Sequence, residues 1–172
     1  MDARAPTTTF PWVDWIGSEY LGPDRVTPTT TGRVRHEDAE ALSLGDGSVD
    51  LVVSCDVLEH VNAPQRVIAE TARVLRPEGH AILTFPMDPA LDHNRRRADI
   101  VDGRVRHLLP AIRHGNPLSP EGSLVFTDFG WDVLEQLRAA GLADVSLRVY
   151  WAYELGYLGI QFYFSGRKAA GG

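Results

Sequence analysis

Apolar and polar residues alternate unevenly along the chain, and each change of period predicts an element. Trp12-Val13-Asp14-Trp15-Ile16-Gly17 reads as a first strand that runs out at Ser18-Glu19-Tyr20-Leu21. A stretch rich in Gly, Pro and Thr from Gly22 to Gly32 has turn chemistry, and Arg33–His36 is a short strand candidate. Asp46-Gly47 marks a tight turn. The run Val49–Ser54 behind it is nearly all apolar and β-branched, as expected of a strand buried on both faces of a parallel sheet.

From Pro64 to Leu75 the period becomes helical: Val67, Ile68, Thr71, Val74 and Leu75 fall on one stripe. Asn62 is positioned to cap this helix, Pro64 suits its first turn, and Arg73 and Arg76 suit its carboxyl end. Pro77-Glu78-Gly79 stops it before a strand over His80–Phe85. Residues 86–122 carry five prolines and no strong period, with a short helix predicted near Val101–Leu109. Such an insertion usually covers or lines a site. A second helix over Phe129–Ala140 follows, with Thr127 and Asp128 as capping candidates and Gly141 as its stop. Two strands, Val145–Trp151 and Leu158–Ser165, close the chain as a hairpin candidate. Strands alternating with helices predict an α/β fold with a mostly parallel sheet.

The 172 residues fit one domain over 1–172, with residues 1–11 as an N-terminal arm. Lys and Arg total 17 against 23 Asp and Glu, a net charge of -6, which argues against a nucleic-acid partner. The single Cys55 excludes an internal disulfide framework and fits a reducing, cytoplasmic setting. No apolar run approaches the roughly 20 residues of a membrane span, and the start lacks a signal core, so neither membrane nor export is indicated. His93, His107 and His114 lack metal-ligand spacing, and no metal site is expected.

Three stretches together carry a family resemblance: Asp46-Gly-Ser-Val-Asp-Leu-Val52, Leu58-Glu-His-Val61 and Arg73-Val-Leu-Arg-Pro-Glu-Gly79. Over about residues 12–85 the chain closely resembles class I S-adenosylmethionine-dependent methyltransferases, and its last helix and two strands suit that family's ending. The resemblance implies a Rossmann-like sheet flanked by helices and S-adenosylmethionine as cofactor. It gives Glu19, with Tyr20 beside it, the ribose hydroxyls, since a carboxylate only accepts and two oxygens match a vicinal diol. Asp38 and Ala39 would meet the adenine, and Ser54, Cys55 and Asp56 the methionine portion. All lie at carboxyl ends of strands, where open α/β sheets hold ligands.

The family fold begins with a further strand, a glycine-rich turn and a helix. The residues before Trp12 are too few for these, because a βαβ connection alone takes about 10–12 residues. The expectation is a fold truncated at its N-terminus, with the first strand and helix missing. Val13, Ile16, Leu51 and Val53 would then leave part of one face bare, so a homodimer or a partner subunit is expected to cover it.

The function this implies is methyl transfer to a small organic acceptor. His60 and His114 are the candidate bases, residues 86–122 the acceptor side, and Trp151 and Tyr153 candidate pocket-lining residues. The alternative is a methyltransferase-like fold that no longer methylates: a binding or regulatory subunit, or half of a split enzyme. Cys55 itself reads as a small buried hydrophobe rather than a nucleophile.

Overall fold

The computed structural model describes residues 11–31, 34–116 and 119–170; the predicted arm, apart from Pro11, lies outside these. Three short strands come first: β1 (Ser18–Glu19), β2 (Thr29–Thr31) and β3 (Val34–His36). Strand β4 (Val49–Cys55) leads through a 3-10 turn, Leu58–His60, to helix α1 (Pro64–Val74), and β5 (Leu75–Thr84) follows directly. The insertion holds β6 (Arg95–Arg96), β7 (Ala98–Val101), β8 (Arg104–His107), β9 (Arg113–Asn116) and β10 (Ser119–Leu124). Then come β11 (Thr127–Asp128), α2 (Val133–Ala139), β12 (Leu142–Ala152) and β13 (Tyr157–Lys168). No described helix is long and apolar enough to cross a membrane.

The main sheet has the order β12-β13-β5-β4, and only β4 and β5 run parallel. The expected, mostly parallel sheet is therefore mixed. The last two strands are joined by one short turn ending at Gly156, whose φ of 82° needs glycine, and so tight a link can only reverse direction. The predicted strand from Trp12 is confined to Ser18–Glu19. It pairs in parallel with β3, which also takes β2, in a separate three-stranded sheet.

Among the described residues no strand pairs with the outer edge of β4. Leu51 and Val53 are 42% and 48% exposed, and Cys55 is exposed as well. The predicted burial on both faces, and the buried reading of Cys55, are corrected accordingly. An apolar run reports what a strand could bury, whereas its neighbours decide what it does bury.

The core lies between the sheet and the two helices. Val67, Ile68, Ala72, Val133 and Leu137 pack with Phe85, Phe129 and Phe164, each at most 4% exposed. The Phe85 and Phe164 rings stack at 4.3 Å, and Phe129 meets Phe85 at 4.5 Å. The two helix starts differ from expectation. Ala63 takes the capping position of α1, freeing Asn62 to accept from Arg96 Nη2 and the Ile100 amide. Thr127 and Asp128 form β11, and α2 starts later, at Val133.

Residues 101–109 form no helix. Val101, Val105 and Leu108 have helical spacing, but Asp102-Gly103 takes positive φ at both positions (50° and 71°) and closes the β7–β8 hairpin. A two-residue Asp-Gly turn between β-branched residues outweighs one turn's worth of helical period.

The segment carrying Asp38 and Ala39 is held against α1 by one ion-pair network. Arg73 donates to both Glu70 oxygens at 2.7 Å, to Asp46 at 2.6 Å, and to the Leu42 and Leu44 carbonyls at 2.9 Å. Glu70 also accepts the Leu42 amide at 2.7 Å. The Arg73 hydrogen bonds hold the Glu70 carboxyl below its ordinary range. A depressed carboxyl contributes stability that is present above its unfolded pKa and lost as pH falls through the folded one. Glu70→Gln is expected to destabilise the fold by roughly 1–2 kcal/mol at neutral pH. In urea titrations across pH, the gap to wild type should close as the wild-type carboxylate becomes protonated; a gap independent of pH would contradict the network.

Candidate functional site

Strand β4 ends at Cys55, and the chain turns sharply at Asp56, whose φ of 53° is left-handed. The Asp56 amide donates to the Thr84 carbonyl at 2.8 Å, tying this turn to the end of β5. The 3-10 turn that follows puts Leu58 and Glu59 inside, at 0% and 1% exposure. Leu58 belongs to the core, and the same geometry carries a carboxylate in with it.

Neither Glu59 carboxylate oxygen has a hydrogen-bond partner. Two imidazoles lie close to it. His60 Nε2 lies 3.4 Å and His114 Nδ1 3.7 Å from Glu59 Oε1, and the two rings meet edge to face at 5.2 Å. Burial pushes the Glu59 carboxyl up to about 7, with Asp56 adding to the shift and His114 opposing it. His60 Nδ1 sits 2.8 Å from the Leu124 carbonyl. A carbonyl only accepts, so the ring donates from Nδ1 and leaves Nε2 facing Glu59, as a lone pair in the imidazole and as a donor in the imidazolium.

His114 reaches this place on the insertion. The β9–β10 hairpin pairs Ser123 with His114. At Gly122, where φ is 74°, a Cβ would fall 2.3 Å from the His114 carbonyl oxygen, so only glycine allows this approach. The segment after β10 is laced to the 3-10 turn: the Phe126 amide donates to the Glu59 carbonyl at 2.7 Å, and the Val125 amide to Ile112 at 2.9 Å.

Glu59 and His114 line a cavity of about 220 Å3, together with Met87, Arg95, Arg97 and Asp128. Arg97, 7% exposed, donates to Asp128 at 2.7 Å and to the Pro110 carbonyl at 2.6 Å. Arg95 joins Asp128 at 2.7 Å. A larger cleft of about 480 Å3 opens beside the start of α1, between Asn62, Arg96 and Asp99.

The residues expected to hold the cofactor fall in two places. Glu19, Tyr20, Asp38 and Ala39 gather where parallel strands β1 and β3 end, with Glu19 in register with His36. The Tyr20 ring lies tilted against His36, centroids 5.4 Å apart; its phenol is held above its usual range by burial and by Asp38. The Glu19 side chain is open to solvent, and Asp38 accepts the Glu40 amide at 2.9 Å. Ser54, Cys55 and Asp56 form the carboxyl end of β4. Glu40 links the two regions by accepting the Ala63 amide, at the head of α1, at 2.9 Å.

His60 and His114, far apart in the chain, are brought together. Trp151 and Tyr153 are not brought to them: they stand 73% and 75% exposed at the tip of the β12–β13 hairpin and line neither cavity. Glu59, Arg95 and Arg97 are added to the site. Glu59 lies inside the Leu58-Glu59-His60 stretch already singled out, yet no local pattern marks a glutamate for burial.

Residues 21–83 match a family model described as a methyltransferase domain. An uncharacterized methyltransferase from Mycolicibacterium gilvum (strain PYR-GCK) is 31% identical over 135 residues, covering 75% of this chain and 53% of the relative. One from Mycolicibacterium vanbaalenii is 30% identical over 165 residues, 88% of this chain and 64% of the relative. The chain thus spans between about half and two thirds of the length of these relatives. Among solved structures, the cyclase SpnF aligns with a TM-score of 0.50 at 20% identity, over 81% of this chain and 58% of that one. That likeness concerns the fold, a Rossmann-like α/β sheet.

Proposed function

Because the chain belongs to the class I S-adenosylmethionine-dependent methyltransferase family, we propose that it moves the methyl group of S-adenosylmethionine to a nucleophilic atom of a small organic acceptor. The observation that carries this reading is the Glu59–His60–His114 group, set just beyond the end of β4 and opening on a cavity walled by the insertion. The cofactor's adenosine is assigned to Glu19, Tyr20, Asp38 and Ala39, and its methionine end to Ser54, Cys55 and Asp56. The acceptor is assigned to the cavity on the side of residues 86–122.

The sulfonium supplies an already activated methyl, so the protein's share is alignment, exclusion of water and disposal of one proton. Attack by an acceptor oxygen or nitrogen on the methyl carbon would break its bond to sulfur and release a neutral thioether. The acceptor's proton passes to the histidine–glutamate group, where the Glu59 carboxylate offsets an imidazolium. A 220 Å3 cavity suits a compact acceptor. Arg95 and Arg97 share the single Asp128 carboxylate, so this part of the wall is polar and sets two guanidiniums against one carboxylate.

A second copy of the chain is the proposed cover for the outer edge of β4, where Leu51 and Val53 are exposed and no strand pairs with β4 among the described residues. Size exclusion with light scattering at micromolar concentration should give a two-chain mass; the mass of one chain alone would contradict self-association.

The test of the cofactor assignment is Glu19. Two charge-assisted hydrogen bonds to ribose hydroxyls are worth roughly 1.5–3 kcal/mol each, so Glu19→Ala should weaken S-adenosylmethionine binding at least about tenfold with folding intact. Isothermal titration reads this directly. Equal affinity of the variant and wild type would show that the cofactor lies elsewhere.

A further inference from the structure

The Glu59, His60 and His114 side chains each offer one ligand-type atom, and these atoms lie within 4.8 Å of one another. Among the described residues no hydrogen bond satisfies either Glu59 oxygen at the centre of this cluster. Glu59 is almost wholly buried with both oxygens lacking a hydrogen-bond partner, and His60, whose Nδ1 faces the Leu124 carbonyl, turns Nε2 toward Oε1. A carboxylate buried without a hydrogen-bond donor is stabilised by a cation set beside it, and neutral imidazole nitrogens at this distance can share such a cation's coordination. We propose that Glu59, His60 and His114 form a binding site for a divalent transition-metal ion.

Three features of the structure support the assignment. The first is spacing. With metal–ligand bonds near 2.0–2.2 Å, two ligands of a tetrahedral ion stand about 3.4 Å apart. The observed separations from Glu59 Oε1 are 3.4 Å to His60 and 3.7 Å to His114.

The second is the arrangement behind the ligands. A metal-bound histidine usually donates its other ring N–H to a carboxylate or carbonyl, which fixes tautomer and ring orientation. His60 Nδ1 makes that bond to the Leu124 carbonyl at 2.8 Å. The third is access. Glu59 and His114 face the cavity, so three protein ligands would leave a coordination position open toward it.

Two imidazoles and one carboxylate suit zinc and its first-row neighbours. Magnesium and calcium, which prefer all-oxygen shells, are poorly matched. Were an ion bound, the two histidines would serve as its ligands in place of taking the proton, and the cation would acidify an acceptor hydroxyl in the open position, whose proton would leave to solvent through the cavity. That use of the site rests on the methyl-transfer reading; the site itself does not.

The sequence offered no His-x-x-x-His spacing because His114 arrives from a different element. The adjacent pair Glu59-His60 also differs from the helical spacings that local patterns detect.

The chain, stripped with chelator, is titrated with Zn2+ by calorimetry and with Co2+ by visible absorption. The expected result is one ion per chain and the intense ligand-field bands of low-coordinate Co2+. Glu59→Gln and His114→Ala should each weaken binding at least about tenfold. His114 sits on a partly exposed hairpin, so its variant tests the site even where the buried Glu59 variant fails to fold. An exposed-histidine control, His107→Ala, should bind as wild type does.

No binding, or binding unchanged in His114→Ala, would overturn the site. S-adenosylmethionine titrated into the metal-free chain keeps the two readings separable. Cofactor binding without zinc binding removes the metal site alone, and zinc binding without cofactor binding removes the methyl-transfer reading alone.

Discussion

A carboxylate taken out of water has to be neutralised, and this need at Glu59 organises the functional end of the molecule. It lies beside a core residue: Leu58 fills the core, and Glu59 follows it inside in the short 3-10 turn Leu58–His60. An isolated buried charge would be prohibitive, so such a group holds a proton, meets a cation or lies beside titratable partners. Here two imidazoles stand in reach, both within 3.7 Å of one oxygen.

The insertion is the structural answer to that need. A long, proline-rich connection at the end of β5 costs little by its length alone, because loop-closure entropy grows slowly. What makes it ordered is the stitching. Arg97 reaches Asp128 and the Pro110 carbonyl, the backbones of Phe126 and Glu59 bond directly, and Leu124 holds His60 in one tautomer. Each bond that fixes the hairpin also fixes His114 relative to Glu59. The opposite end of the sheet is built with less enclosure: the β12–β13 tip projects Trp151, Tyr153 and Leu155 into solvent, and the β4 edge is unpaired among the described residues.

Much of this was legible in the sequence, for identifiable reasons. The strand Val49–Ser54, helix Pro64–Leu75 and the terminal hairpin were readable because a long, unbroken period leaves few alternatives. The motifs around Asp46, Leu58 and Arg73 pointed to the family, and the methyltransferase relatives bear that out. Where the reading failed, a local signal met a longer-range one. The helical spacing at Val101–Leu108 yielded to Asp102-Gly103, and Asn62, a sound capping residue, was claimed by Arg96 and Ile100 instead. The site was half legible. His60 and His114 could be named as candidate bases, but their meeting across the β9–β10 hairpin, and the burial of Glu59 beside them, are properties of tertiary packing that no local spacing records.

The account's central claim is that the Glu59 pocket is where the reactive end of the cofactor meets a cation-assisted acceptor site. Diffraction at the zinc absorption edge, from crystals grown with Zn2+ and S-adenosylhomocysteine, examines both parts at once. The account predicts an anomalous peak among Glu59, His60 and His114, with the cofactor's sulfur at the carboxyl end of β4 and its ribose at Glu19. A zinc peak elsewhere, an empty triad, or a cofactor seated away from Glu19 and Asp56 would contradict it.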